Sequence, residues 1–166
     1  ANYNVPVISI SHHLAHAYSA IGTCPFDTCN IMVIDGCGSP YSQCDDLNKT
    51  FIPDIDGIKA YPQNFWCEKL SLYQYNGQLT PIYKDFSPFR HTQPAKLMQM
   101  PTITHSIGGV YQVVSEYCFG STNDTGKLMG LSPYGEKGVY KQAIFELKEG
   151  RVFNTFDWMD ELTLPS

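Results

Sequence analysis

Hydrophobic and polar positions form two kinds of pattern along the chain. Short apolar runs predict buried strands, and apolar residues spaced by three and four predict helices. The mostly apolar segment 5–10 and the apolar run 31–34 predict two short buried strands, because strands covered on both faces have this pattern. Segment 12–21 lies between Ser11 and Gly22, so we predict a helix with Ser11 as its N-cap. The chain therefore begins with the order strand, helix, strand.

A turn signal and a second helical pattern follow. Asn76-Gly77 separates the apolar runs 70–75 and 78–83. Both positions of a two-residue hairpin turn need positive φ, which Asn and Gly adopt readily, so we predict a β-hairpin. Apolar residues spaced by three and four over 106–118 predict an amphipathic helix.

The remaining segments carry weaker signals. Residues 37–67, 85–104 and 120–135 have no clear period and are expected to be irregular. The first of these is long enough to be a functional loop or an insertion. Helical spacing predicts a helix over 137–148, and 151–153 is a candidate strand. This order of elements predicts an α/β fold with a mixed sheet and flanking helices.

Composition and charge exclude several classes of protein. The 166 residues include 11 Lys and Arg against 16 Asp and Glu, and this net charge of −5 argues against a nucleic-acid surface. No apolar run approaches the roughly 20 residues of a membrane span. The chain has six cysteines and no CxxC pair, which disfavours a zinc ribbon. We expect the cysteines to be the reduced thiols of a cytoplasmic protein. A secreted domain with disulfides is the alternative.

His12 and His16 are the first candidates for chemistry. They are four residues apart and share one helix face, whereas His13 lies about 100° around the helix and should face elsewhere. Asp35, at the end of the second predicted strand, offers a third ligand. Two histidines and one carboxylate bind non-haem iron and also suit zinc. Polar histidines and a turn aspartate explain the same residues without a metal, so both interpretations stay open.

Two glycine-rich segments are candidates for phosphate binding. Gly36 and Gly38 follow a strand, where a turn can direct backbone N–H groups towards an anion, although a simple tight turn explains them equally well. In segment 126–135, Lys127 would neutralise a phosphate and the glycines would let it approach the backbone. Leu128 stands where a P-loop needs Ser or Thr, which excludes a Walker A motif. A packed loop is the alternative for this segment.

Four motifs stand in one order along the chain: HHLAHAYSA at 12–20, VIDGCG at 33–38, HSIGGVY at 105–111 and GKLMGLSPYG at 126–135. They resemble the HHxxHAxSA, DGxG, HSxGxxY and KxMGLAPYG motifs of the NodU/CmcH-type O-carbamoyltransferases. The last motif is the most specific of the four. The chain departs from the family pattern at Ser39, where the family usually has Glu after DGxG.

The resemblance implies an actin-like ATPase fold with duplicated ribonuclease-H-like halves, related to that of tRNA threonylcarbamoylation enzymes. It implies that residues 1–25 close the first half and that 26–166 open the second half, with an insertion over 37–67. The chain would then be an internal fragment in which the fold is incomplete.

The resemblance also implies a reaction. Family members form a carbamoyl-adenylate from carbamoyl phosphate and ATP, and then transfer the carbamoyl group to a hydroxyl of a sugar or natural product. We therefore expect an O-carbamoyltransferase whose fragment is inactive alone. The alternatives are a non-catalytic metal- or nucleotide-binding module of the same fold and a relative that transfers threonylcarbamoyl groups.

Residue roles and cofactors follow from the same resemblance. His12, His16 and Asp35 match the family's iron ligands, with zinc as the alternative metal and a further ligand aspartate beyond Ser166. ATP and carbamoyl phosphate would be substrates, Mg²⁺ a companion of ATP, and a hydroxyl-bearing small molecule the acceptor. The rest of the full-length chain would be a partner, and no catalytic residue can be assigned. The residues that match the nucleotide-side motifs are Gly36, Gly38, Gly108, Lys127 and Gly130.

Overall fold

The computed structural model of the protein describes residues 6, 8–55, 65–91, 101–139, 141 and 143–155. Within these residues, three α-helices and six β-strands follow one another in chain order. They are α1 (His12–Thr23), β1 (Cys29–Ile34), β2 (Trp66–Tyr75), β3 (Leu79–His91), β4 (Pro101–Ile103), α2 (Ile107–Phe119), α3 (Thr125–Leu131), β5 (Phe145–Lys148) and β6 (Arg151–Asn154). Short 3₁₀ helices cover Tyr41–Gln43 and Ser132–Tyr134.

The first four strands form one sheet in the order β1-β2-β3-β4, and each neighbouring pair is antiparallel. The loop between β2 and β3 joins the paired residues Tyr75 and Leu79, so it is one residue longer than the predicted two-residue turn. Gly77 has a φ of 89° in this loop, a conformation that favours glycine. Strands β5 and β6 form a separate antiparallel pair.

Helix α1 covers one face of β1 and β2. Side chains alternate along β1, so Ile31 and Val33 face the helix while Met32 is exposed on the other face. This packing fixes α1 beside the strand that ends next to Asp35. The buried cluster between the helix and the two strands consists of Ala17, Ile31, Val33 and Tyr73.

The predicted α/β class with helices flanking a sheet is confirmed. Helices are present where they were predicted over 12–21 and 106–118, and strands where they were predicted over 31–34 and 151–153. The hairpin around Asn76-Gly77 is also present, and both of its strands are longer than predicted. No helix in the described part of the chain is both long and apolar enough to cross a bilayer.

The helix predicted over 137–148 is wrong. Its described residues form turns followed by strand β5, which pairs with β6. Gly138 has a φ of 81°, and the turn between the strands contains Glu149 with a φ of 52° and Gly150 with a φ of 75°. Successive residues with positive φ form a tight hairpin turn, so the chain reverses direction here. The helical spacing of apolar residues in this segment is coincidental.

The expectation of irregular structure is wrong in two segments. Segment 120–135 contains α3 and a 3₁₀ turn, and segment 85–104 contains the end of β3 and all of β4. The two strands pair with each other, and short strands stabilised by such pairing carry little signal of their own. In segment 37–67, residues 37–55 are irregular apart from one 3₁₀ turn, 66–67 begin β2, and 56–64 lie outside the described residues.

The strand predicted over 5–10 is also wrong for the residues that can be described. Residues 6 and 8–10 form no strand, and Ile8 is 85% exposed. A strand is stable only when a neighbour satisfies its backbone groups, and the apolar run alone does not supply one. Residues 5 and 7 lie outside the described part of the chain.

Candidate functional site

The three predicted metal ligands lie together where α1 begins and β1 ends. Nε2 of His12 contacts Oδ2 of Asp35 directly. Nε2 of His16 lies 3.1 Å from Nε2 of His12 and 3.8 Å from the same carboxylate oxygen. The structure therefore brings all three predicted ligands into one cluster, in which the donor atoms lie within 4.8 Å of one another.

The chemistry of this donor set fits a divalent transition metal. Two imidazole nitrogens and one carboxylate oxygen converge, the ligand set that suits non-haem iron and zinc. The side chains of His12, His16 and Asp35 are 48%, 52% and 31% exposed, so a substrate can reach the same point from solvent. The geometry thus leaves room for ligands beyond those the described residues supply.

His13 faces away from this cluster, as its position on the helix predicts. Its side chain is fully buried, and Nδ1 lies 2.7 Å from Oγ of Ser71 in β2. Burial lowers its pKa to about 4, although the charge of Glu68 opposes the shift. The imidazole is therefore neutral at physiological pH. Its Nε2 is buried without a hydrogen-bond partner among the described residues.

The turn that follows β1 is held by the beginning of α2. The Gly36 N–H donates to Oδ1 of Asp35 at 2.6 Å, and the hydroxyl of Ser106 donates to the Gly36 carbonyl at 2.7 Å. Ser106 also caps α2, because its Oγ accepts from the Gly109 N–H. A Cβ on Gly108 would lie only 2.6 Å from the Gly36 nitrogen, so this close approach requires glycine.

Gly38 has a packing reason to be glycine. A Cβ at this position would lie 2.6 Å from Cβ of Glu68 and 2.8 Å from the His13 ring. Its N–H donates to the Glu68 carbonyl at 3.0 Å, which aligns the loop with β2. These packing contacts explain why position 38 is glycine without any bound nucleotide. The role of Gly38 in nucleotide binding stays a prediction.

Lys127 and Gly130 lie apart from the three glycines near Asp35. Both are in α3, where Nζ of Lys127 pairs with Asp124 at 2.8 Å and lies 5.9 Å from the Phe119 ring. Phe119 ends α2, about 16 Å along the helix axis from Gly108. The predicted nucleotide-side residues thus form two groups, at opposite ends of α2.

The first turn of α1 is capped from other parts of the chain. Ser11 is the N-cap residue of α1, as predicted, but its side chain makes no cap hydrogen bond. The His12 N–H donates instead to Oγ of Ser39 at 2.9 Å, and the His13 N–H donates to Oε2 of Glu68 at 3.2 Å. The Ser11 hydroxyl donates instead to Oδ1 of Asp46, 3.4 Å away.

Sequence reasoning missed a buried cluster of charges beneath the ligands. Glu68 and Lys84 are fully buried and form an ion pair, and Nζ of Lys84 also lies 2.7 Å from Asp46. Burial would lower the pKa of Lys84, but the two carboxylates outweigh it and raise that pKa. Glu68 and Lys84 lie just outside the segments 70–75 and 78–83 from which the hairpin was predicted. The local pattern therefore gave no sign that these charges are buried, which charged side chains rarely are unless paired.

Glu68 stays ionised in this cluster. Burial would raise its pKa, but interactions with His13 and Lys84 lower it below its usual range. Of these two neighbours, only Lys84 carries a charge at neutral pH, because the pKa of His13 is about 4.

A second buried ion pair lies one residue further along the same strands. Nζ of Lys69 is 2.6 Å from Oδ2 of Asp85, and both side chains are less than 5% exposed. Arg151 of β6 donates through Nε to Oδ1 of Asp85 at 2.9 Å and through Nη2 to the Phe86 carbonyl at 3.2 Å. This pair therefore holds the β5–β6 hairpin against the sheet.

The six cysteines all lie within the described residues, and all are free thiols. Cys37 and Cys67 share a hydrogen bond that raises the pKa of Cys37 and lowers that of Cys67. Sγ of Cys24 and Sγ of Cys29 lie 3.8 Å apart, between α1 and β1.

Comparison with known proteins gives one match. Residues 1–164 match the family model described as the carbamoyltransferase N-terminus. None of the curated proteins and none of the solved structures compared with the chain matches it significantly.

Proposed function

The chain belongs to the carbamoyltransferase family, and from that premise we propose that it acts in NodU/CmcH-type O-carbamoyl transfer. ATP and carbamoyl phosphate would form a carbamoyl-adenylate, whose carbamoyl group passes to a hydroxyl of a sugar or natural product. The observation that supports this proposal is the convergence of His12, His16 and Asp35, in a chain that the family model matches almost from end to end.

His12, His16 and Asp35 would hold a divalent metal, with iron the first choice and zinc the alternative. Such a metal would position phosphate oxygens and offset charge that develops on them. Mg²⁺ would accompany ATP. The exposure of the three side chains supports this assignment, because a site that binds substrate needs open coordination positions.

The N-terminus of α2 would contribute to anion binding beside the metal. The positive end of a helix dipole favours phosphate, and the missing side chain of Gly108 lets the helix approach the Asp35-Gly36 turn. Gly36 and Gly38 would serve the same nucleotide side. Lys127 and Gly130, at the other end of α2, would contact a more distant part of the nucleotide.

The proposed domain boundary lies near residue 25, between α1 and β1. Residues 1–25 would close one ribonuclease-H-like half and 26–166 would open the next, in a fold of the actin-like type.

A cytoplasmic location fits the six free thiols, which reducing compartments maintain.

The first test compares metal content after anaerobic purification in the wild type, in His12→Ala/His16→Ala and in the control Ser19→Ala on the same helix. We expect about one metal per chain in the wild type and the control and none in the double variant. Metal retained by the double variant would reject the ligand assignment.

Nucleotide chemistry is tested separately by release of pyrophosphate from ATP that depends on carbamoyl phosphate. Metal binding together with this release would support the transferase. Metal binding without it, in the full-length protein, would favour the non-catalytic module instead.

A further inference from the structure

We propose that Glu68 is the positioning residue of the metal centre, because its buried carboxylate joins the helix that carries His12 to the loop that follows Asp35. This inference rests on the proposed metal site. Glu68 does not touch the donor atoms of the cluster, so it acts through the backbone of the two ligand-bearing segments.

One oxygen atom of Glu68 makes the connection. Its Oε2 accepts from the His13 N–H at 3.2 Å and from the Ser39 N–H at 2.9 Å. The first donor belongs to the opening turn of α1, next to His12, and the second lies four residues after Asp35. A carboxylate at this end of a helix is also favoured by the helix dipole.

Ser39 completes the connection on the other side. Its Oγ accepts from the His12 N–H at 2.9 Å, and its carbonyl accepts from the Glu68 N–H at 3.0 Å. Gly38 packs so closely on Glu68 that a Cβ there would lie 2.6 Å from the Cβ of Glu68. The ligand-bearing loop, the helix end and β2 therefore share one rigid junction.

Lys84 allows a carboxylate to occupy this junction. It is fully buried, pairs with Oε1 of Glu68, and leaves Oε2 free to accept both backbone donors. Removing one member of a buried pair leaves the other charge uncompensated, which destabilises the fold for reasons unrelated to the metal. A test of positioning must therefore change both members together. It must also compare variants that all lack Lys84, because Asp46 loses its lysine partner in each of them.

The Lys69–Asp85 pair is a matched internal control. It joins the same two strands at similar burial, but its described hydrogen bonds lead to β6 and to the sheet, not to α1 or the loop after Asp35. If buried ion pairs here serve only stability, variants of both pairs should have the same effect on metal binding.

The experiment measures Co²⁺ affinity and the Co²⁺ absorption spectrum of folded protein, with folding verified by circular dichroism. The double variant Glu68→Met/Lys84→Met removes the acceptor and keeps the volume. The double variant Glu68→Gln/Lys84→Met keeps one acceptor oxygen. We expect affinity to fall about tenfold or more in the first and to stay within about threefold of the wild type in the second. In the control Lys69→Met/Asp85→Asn, which changes both members of the other pair, we expect reduced stability and unchanged affinity.

Several outcomes would overturn the proposal. Wild-type affinity in a folded Glu68→Met/Lys84→Met variant would mean that Glu68 does not position the ligands, while the metal site itself would stand. An equal loss in Lys69→Met/Asp85→Asn would assign the effect to general stability. If the double variants do not fold, Ser39→Ala, which removes only the acceptor for the His12 N–H, replaces them, and unchanged affinity there would reject the junction. A wild type that binds no Co²⁺ would reject the metal site, and this inference with it.

Discussion

At the residue scale, two adjacent histidines have opposite surroundings. His12 is 48% exposed and faces Asp35, whereas His13 is fully buried against Ser71. Burial keeps the pKa of His13 at about 4, so the ring carries no charge at neutral pH. Adjacent positions on this helix therefore place one imidazole in the exposed cluster with Asp35 and the other in the buried core.

Acid is expected to destabilise the protein through His13. The pKa of this group is 6.5 in the unfolded chain and about 4 in the folded one, so the unfolded state binds the extra proton between these values. The contribution is fully present above the unfolded pKa and is lost as pH falls towards the folded one. We expect the wild type to lose about 2 kcal/mol through this group between pH 7 and pH 5.

Urea unfolding at the two pH values measures this loss. The variant His13→Asn has no titrating side chain at this position and keeps the other histidines. Its loss of stability between the two pH values should therefore be smaller than that of the wild type by about 2 kcal/mol. Equal losses in both proteins would assign the acid sensitivity to other groups.

Gly108 and Gly130 should respond differently to the same substitution. Gly108→Ala would place a Cβ 2.6 Å from the Gly36 nitrogen, whereas Gly130→Ala meets nothing within 4 Å. We expect Gly108→Ala to cost about 2 kcal/mol through overpacking and to weaken metal binding by displacing Asp35. Gly130→Ala should be neutral or stabilising by up to about 1 kcal/mol, because alanine favours helix. Denaturant unfolding with a metal titration of both variants checks this, and equal effects would contradict the close approach of α2.

The convergence of the three candidate ligands could be predicted from the sequence because they lie on elements with strong local signals. His12 and His16 are one helical turn apart, and Asp35 follows an apolar run. Glu68 could not be assigned a role in the same way, because its partners at His13 and Lys84 are 55 and 16 residues away. Their proximity depends on how β2 pairs with β3 and packs under α1.

At the scale of elements, the β5–β6 hairpin shows where local patterns mislead. Apolar spacing over 137–148 resembles a helix, but positive φ at Glu149 and Gly150 reverses the chain. The hairpin is then docked by Arg151, whose guanidinium reaches Asp85 and the Phe86 carbonyl. A local sequence pattern cannot predict a long-range ion pair of this kind.

Arg151→Lys is expected to loosen the hairpin. A lysine cannot reproduce the two donors that bind Asp85 and the Phe86 carbonyl, so Asp85 keeps its pair with Lys69 but loses the guanidinium. We expect a loss of about 2 kcal/mol and faster amide exchange over 145–154. Exchange in β1 should change little, because that strand packs on α1 instead. Uniform acceleration throughout the described strands would contradict a local docking role.

At the scale of the whole molecule, metal binding should raise stability. A ligand that binds only the folded state at about 100 times its Kd adds about 2.7 kcal/mol. We expect this increase in thermal unfolding of the wild type with Zn²⁺, its reversal by EDTA, and its absence in His12→Ala/His16→Ala. An increase that persists in the double variant would point to the thiols as the binding groups.

The separation along the chain between the ligands and the groups that hold them has a consequence for biosynthesis. All three donors lie within residues 12–35, but Glu68 follows His13 by 55 residues and Ser106 follows Asp35 by 71. A growing chain therefore exposes its donors before the frame that orients them has been synthesised. During that interval the donors would follow the general affinity order, in which Cu²⁺ exceeds Zn²⁺ and Fe²⁺. The supply of metals during translation, or exchange after residue 106 has folded, would then determine which ion occupies the proposed site.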